Sequence, residues 1–138
     1  MKTTPPYITS LEPNQVFVFG SNLAGRHGRG AALMAYRMFG ALHGQGEGLM
    51  GRSYGIATKD RWLNVLPVAA IKIGVDQFIE FAGEHPELEF LVTEIGCGLA
   101  GYKPEDIAPL FAPIVRDSRL KNIALPTSFW RVISPPIP

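Results

Sequence analysis

Short β-branched and aromatic runs alternate with amphipathic helical segments along this chain. That alternation predicts an α/β fold with a largely parallel central sheet, helices on its faces and right-handed crossovers. Two segments carry most of the weight. Phe90–Ile95 is nearly all apolar, the pattern of a strand covered on both faces. Ile71–Glu84 places Ile71, Val75, Phe78, Ile79 and Ala82 at helical spacing, with Lys72, Asp76, Gln77, Glu80 and Glu84 between them, as in a helix laid on a sheet.

The other elements follow in chain order. Val16–Gly20 reads as a strand, and Ala31–Ala41, rich in helix formers, as the helix after it. Gly40–Gly51 holds five glycines and predicts a flexible connection. Ser53–Thr58 and Trp62–Leu66 look like short strands around a Lys59-Asp60 turn, which fits either a hairpin or a strand followed by an irregular excursion. His85-Pro86 stops the Ile71 helix, because the residue before proline avoids the helical region. After the Phe90 strand we expect a turn over Pro104–Ile107, then a helix from near Pro109 that is kinked or cut at Pro113. Asn122–Leu125 supplies a last strand, and Ser134–Pro138 a proline-rich tail expected to fray.

Length and composition limit the functional classes. A chain of 138 residues with 46% apolar and 18% charged residues fits one folded domain with its own core. A net charge of +1 argues against gripping nucleic acid through phosphates as the main task. The charge is uneven: six Lys/Arg stand against two Asp/Glu up to Lys59, and seven against ten from Asp60 onward. Cys97 is the only cysteine, so no internal disulfide forms, and with three scattered histidines it makes no metal-ligand spacing. No cofactor is expected. Neither a signal-peptide layout nor a membrane-spanning apolar run is present, which makes a reducing cytoplasm the default compartment and excludes the membrane as a partner.

Two glycine-rich turns, each at the end of a β-type run, carry the chemistry. The first runs Gly20-Ser21-Asn22-Leu23-Ala24-Gly25-Arg26-His27-Gly28-Arg29-Gly30, and the second Gly96-Cys97-Gly98-Leu99-Ala100-Gly101-Tyr102. Glycines let backbone N–H groups converge on an anion, and a following helix start favours negative charge. Two such turns predict a pyrophosphate held from both sides. Rival patterns fit less well. Gly20–Gly25 has the first spacing of a P-loop, but Arg26 and His27 stand where Lys and Ser/Thr are needed. Gly46-x-Gly48-x-x-Gly51 has a helix before it and a strand after it, the reverse of a dinucleotide fingerprint. Gly96-x-Gly98-x-x-Gly101 is better placed, with Asp117 beyond it, yet only one short strand remains after it for a Rossmann unit. It reads as a second anion cradle or as a plain strand-to-helix turn.

Strand, Gly-Ser-Asn-Leu-x-Gly and a glycine-rich run into a helix, followed later by strand and Ile-Gly-Cys-Gly-Leu-Ala-Gly-Tyr, resembles the two ligand loops of macro domains, which bind ADP-ribose. The likeness is to the small stand-alone bacterial and phage type and spans Val16 to Leu125, including the Tyr54–Thr58 strand. It implies a three-layer α/β/α fold with a mixed, largely parallel sheet, and a ligand that is ADP-ribose or a related NAD-derived nucleotide. By the same resemblance, Asn22 lies near the distal ribose and Gly20, Ser21, Gly25, Gly28 and Gly30 build the first loop. Arg26 and Arg29 add charge, and Gly96, Cys97, Gly98, Leu99, Ala100 and Gly101 grip the diphosphate. Tyr102 packs on a ribose.

Two departures bear on activity. The family's adenine-reading Asp is replaced near its place by Tyr7, and the acidic residue that orients water in hydrolytic members is missing between Gly20 and Gly30. His27 stands in that loop as a general base or phosphate-facing donor, the competing reading being a solvated loop histidine. Asn22 and His27 are thus the candidate catalytic pair for hydrolysis of an ADP-ribosyl linkage. Cys97 reads as a small loop-lining residue, not a nucleophile, since no partner pattern surrounds it. Trp62 and Trp130 read as core or edge aromatics, with Phe129-Trp130 also placed to wall an adenine pocket. The alternatives are a non-catalytic protein that sequesters a nucleotide or engages a protein partner, and a binder of nucleic-acid ends acting through the basic loop and Tyr102.

Overall fold

A computed structural model describes residues 1–134, so the expected frayed tail lies, beyond Ser134, outside the described residues. Six strands, β1 (Lys2–Thr3), β2 (Gln15–Asn22), β3 (Gly48–Met50), β4 (Ser53–Lys59), β5 (Glu89–Val92) and β6 (Ile123–Leu125), form one sheet in the order β1-β6-β5-β2-β4-β3. Every neighbouring pair is parallel except β3 with β4. The helices are α1 (Gly30–Met38), α2 (Val68–Glu84), α3 (Pro104–Ile107), α4 (Pro113–Arg116) and α5 (Thr127–Ile133), with 3-10 turns at Ala108–Phe111 and Ser118–Leu120.

Side chains alternate across β2 with the strand period of two and so divide the interior. Val16 and Val18 join Ile56, Phe90 and Val92 under α2, whose Ile71, Val75 and Phe78 are fully buried. Phe17 and Phe19 face the other way and meet Ala32 and Ala35 of α1, with Phe39 and Met50. The result is a three-layer α/β/α arrangement. Burial of each large α2 side chain stabilises the fold by roughly 1.5–3 kcal/mol. No helix of the described residues is long and apolar enough to cross a membrane.

Several elements differ from expectation for local reasons. The glycine-rich connection is not a loose linker: it contains β3 and packs under the first loop, where Gly44 N–H donates to the Gly25 carbonyl at 3.0 Å. Trp62–Leu66 forms no strand, only an isolated Lys59–Val65 bridge, so of the two expected arrangements the strand with an irregular excursion is the one present. α2 starts three residues before Ile71, since Val68-Ala69-Ala70 are helix-compatible and the Pro67 carbonyl accepts from Ala70 and Ile71. The expected break at Pro113 is present, and the turn at Pro104–Ile107 is one helical turn. β1 and α5 carry too little periodicity to be read from sequence. β1 is held by Thr4, whose N–H bonds the Leu125 carbonyl and whose hydroxyl bonds that of Val92.

Candidate functional site

The carboxyl ends of β2, β4 and β5 open on one cleft of about 400 Å³, within the size range of small-molecule sites. At the end of β2 the register slips between Ser21 and Asn22, so Asn22 stands opposite Lys59 while Ser21 stays opposite Ala57. Such a bulge bends the strand and re-aims the residues that follow. Ser21 Oγ donates to the Gly46 carbonyl, and Thr58 Oγ1 donates to the Ser21 carbonyl at 3.1 Å. The Asn22 side chain then closes the turn: Nδ2 donates to the Arg26 carbonyl at 2.7 Å, and Oδ1 accepts from Arg26 N–H at 3.0 Å. An amide has one further N–H and spare acceptor capacity, so Asn22, which lines the cleft, can still meet a ligand.

The second loop folds back on itself. Cys97 N–H bonds the Glu94 carbonyl, Gly101 N–H that of Gly98, and Tyr102 N–H that of Gly96. Gly96 sits at φ +75°, a conformation glycine adopts without strain. These bonds leave the N–H groups of Gly96, Gly98, Leu99 and Ala100 without an acceptor among the described residues, as are those of residues 28–32 across the cleft. Clustered unpaired amides at a helix start are an anion site in waiting. α1 has no acidic residue in its first turn and no side-chain cap, and its N-cap is Arg29.

Charge follows the same sign. Arg26, Arg29 and Lys59 line the cleft, and among the described residues Glu94 is the one carboxylate that does so. Glu94 Oε2 accepts from Ser128 Oγ at 2.7 Å, which holds it at the β5 side. Thr58, Lys59, Leu63, Thr93 and Glu94 all line the cleft and were missed from the sequence. The signal for them exists: they sit at or just past the ends of parallel strands, where ligands of open α/β sheets bind. No cluster of metal-ligating side chains occurs among the described residues.

The cleft gathers Gly20, Ser21, Asn22, Arg26, Gly28, Arg29 and Gly30 with Gly96, Gly98, Leu99 and Ala100. Other expected site residues stand elsewhere. His27 is 1% exposed, does not line the cleft, and turns its Nε2 to the carbonyls of Leu42 at 2.8 Å and Gln45 at 3.0 Å. Nε2 therefore carries the proton, and the ring ties the first loop to the segment beneath it; it offers no base to the cleft. Gly25 is a packing glycine, because a Cβ there would run into the Gly44-Gln45 backbone. Tyr102 is half-buried against the core and donates its hydroxyl to the Leu66 carbonyl at 2.6 Å, so it braces the loop after β4, and it does not line the cleft. Gly101 is outside the lining.

Cys97 also lies outside the lining, half-buried against the core. Burial, with Glu94, Asp106 and Glu105 nearby, pushes its thiol up to about 11, so it is no nucleophile at neutral pH. Phe129 and Trp130 are buried, the indole N–H donating to the Lys2 carbonyl, and wall no pocket. Tyr7 is 87% exposed and away from the cleft. The four-residue α3 stands where the sequence predicts a turn, and the helix predicted from near Pro109 begins as a 3-10 turn, so no helix with a useful macrodipole directly follows the second loop, which acts through its own amides. Comparison of the chain with protein-family models, curated proteins and solved structures finds no match.

Proposed function

We propose that the cleft binds ADP-ribose or a related NAD-derived nucleotide, with the diphosphate between the two glycine-rich loops and the distal ribose at Asn22. One observation carries this reading: unpaired amides of both loops border one cleft whose cations, Arg26, Arg29 and Lys59, outnumber its single carboxylate. Arg29 at the N-cap of α1 supports it, because a cation there opposes the helix dipole by roughly 0.3–1 kcal/mol unless an anion lies between them. A linear diphosphate with sugars at both ends suits a cleft that runs across three strand ends. Glu94 is placed to accept from a sugar hydroxyl.

Binding without hydrolysis is the reading the side chains favour, since burial of His27 removes the base on which a hydrolytic reading rested. Calorimetric titration with ADP-ribose is the test. Saturable binding is expected, with stability raised by about 2.7 kcal/mol at 100 times the dissociation constant. The nucleotide should come off intact after denaturation. Absence of both heat and thermal shift at millimolar ligand would overturn the assignment.

A further inference from the structure

β4 ends at Lys59 in the cleft, and residues 60–66 leave it as a tight, pinned excursion. Asp60 N–H donates to the Asn64 carbonyl at 2.8 Å, and Asp60 Oδ1 accepts from the N–H groups of Trp62 and Asn64, both at 2.9 Å. Leu66 is fixed from two sides, its N–H on the Thr58 carbonyl and its own carbonyl receiving the Tyr102 hydroxyl. At the tip, Leu63 is the only described non-glycine residue at positive φ, 66°, and it lines the cleft. The residue before it, Trp62, stands outside that lining, at the rim, and is 78% exposed.

A rigid loop that holds a leucine in a disfavoured conformation and leaves an indole in water matches the way strain gathers at ligand clamps. The place of this loop gives its partner. Asn22 is the register partner of Lys59, so the Trp62 loop flanks the Asn22 end of the cleft, whereas Glu94 and Ser128 flank the other. From this we infer that Trp62 is a stacking platform for a planar ring carried on the sugar at the Asn22 end. The preferred ligand is then a dinucleotide with a base at each end, such as NAD+, over ADP-ribose with its free sugar. A cationic pyridinium ring suits an indole face especially well. The inference rests on the proposed orientation of the nucleotide.

The test compares NAD+ and ADP-ribose by calorimetry on the whole protein, wild type against Trp62→Ala and Trp62→Phe. The exposure of Trp62 leaves the fold unaffected by either change. Wild type should bind NAD+ about tenfold more tightly than ADP-ribose, the scale of one base-aromatic stack. Trp62→Ala should erase that preference, Trp62→Phe should keep part of it, and NAD+ should quench indole emission in wild type but not in Trp62→Ala. Equal affinity of wild type for both ligands overturns the stacking platform and leaves the diphosphate reading intact. An equal loss for both in Trp62→Ala overturns the preference for a second base and the proposed orientation, since adenine, common to both ligands, would then be the ring on the indole. Failure of wild type to bind either ligand overturns both readings.

Discussion

A Cβ on Gly20 would lie 3.4 Å from the amide nitrogen of Gly96, so the two glycine loops touch at the floor of the cleft. That approach joins a basic loop to an otherwise distant one and makes a bridging ligand geometrically natural. Gly96→Ala adds a methyl group 3.2 Å from Ile107 at φ +75°, and should destabilise the protein by about 1–2 kcal/mol. Urea unfolding of the variant measures this; a midpoint equal to wild type would show that the turn relaxes away from Ile107 without cost.

The open glycines give a cleaner contrast. A Cβ at Gly28 or Gly98 meets nothing within 4 Å, so alanine there should leave unliganded stability within about 0.5 kcal/mol of wild type. The space it fills is the cleft itself, and nucleotide affinity should fall at least about tenfold, or ~1.4 kcal/mol. Gly25→Ala should do the reverse, unfolding the protein through its collision with the Gly44-Gln45 backbone. Paired unfolding and calorimetry separate the two kinds of glycine, and a Gly98→Ala variant that binds like wild type would place the ligand elsewhere.

These glycines also show what sequence can and cannot reveal. The α/β alternation, the long amphipathic α2 and the break at Pro113 were legible because periodicity and proline act locally. The two loops were legible as turns at strand ends. Whether a glycine faces a ligand or a neighbouring backbone was not, since Gly25 and Gly28 look alike in sequence and differ in the φ they adopt and in what folds beneath them. His27 was misread for the same reason: its partners, Leu42 and Gln45, lie in a glycine-rich stretch that looked loose but packs tightly. Tyr102 reads as a ligand contact and Trp130 as either a core aromatic or a pocket wall, because the sequence carries no mark of which way an aromatic ring turns.

Asn22 is predicted to hold the first loop as well as to meet the ligand. Removing both hydrogen bonds to Arg26 in Asn22→Ala should cost about 1–3 kcal/mol of stability. Asn22→Asp keeps the acceptor for Arg26 N–H but sets a carboxylate oxygen against the Arg26 carbonyl and adds negative charge beside the phosphates. Its nucleotide affinity should therefore fall below that of Asn22→Ala, as calorimetry would read; the opposite order would exclude an anion near this residue.

His27 should matter for folding and little for binding. His27→Ala leaves the Leu42 and Gln45 carbonyls without their donor and opens a void where the buried ring stood, a loss of about 2–4 kcal/mol by urea unfolding. At a temperature where the variant stays folded, its affinity for ADP-ribose should stay within about threefold of wild type, under ~0.7 kcal/mol. Nitrogen NMR should find the proton on Nε2 and a bare Nδ1. A variant that is stable but fails to bind would restore a ligand-facing role.

Cys97 ties stability to alkaline pH. Its folded-state value, up to about 11 from an ordinary 9.0, means that the folded protein keeps the thiol proton where the unfolded chain has released it. Protons are then bound more tightly in the native state, so stability falls as pH rises from about 9 to about 11 and is unaffected by this group below that window. Cys97→Ala should flatten the alkaline limb of a plot of urea midpoint against pH. Alkylation of the folded wild type should accelerate through pH 11 rather than 9, because the thiolate is the reacting form. Rapid alkylation at neutral pH would mean that the second loop opens to solvent, and its amides could not then be a pre-formed cradle.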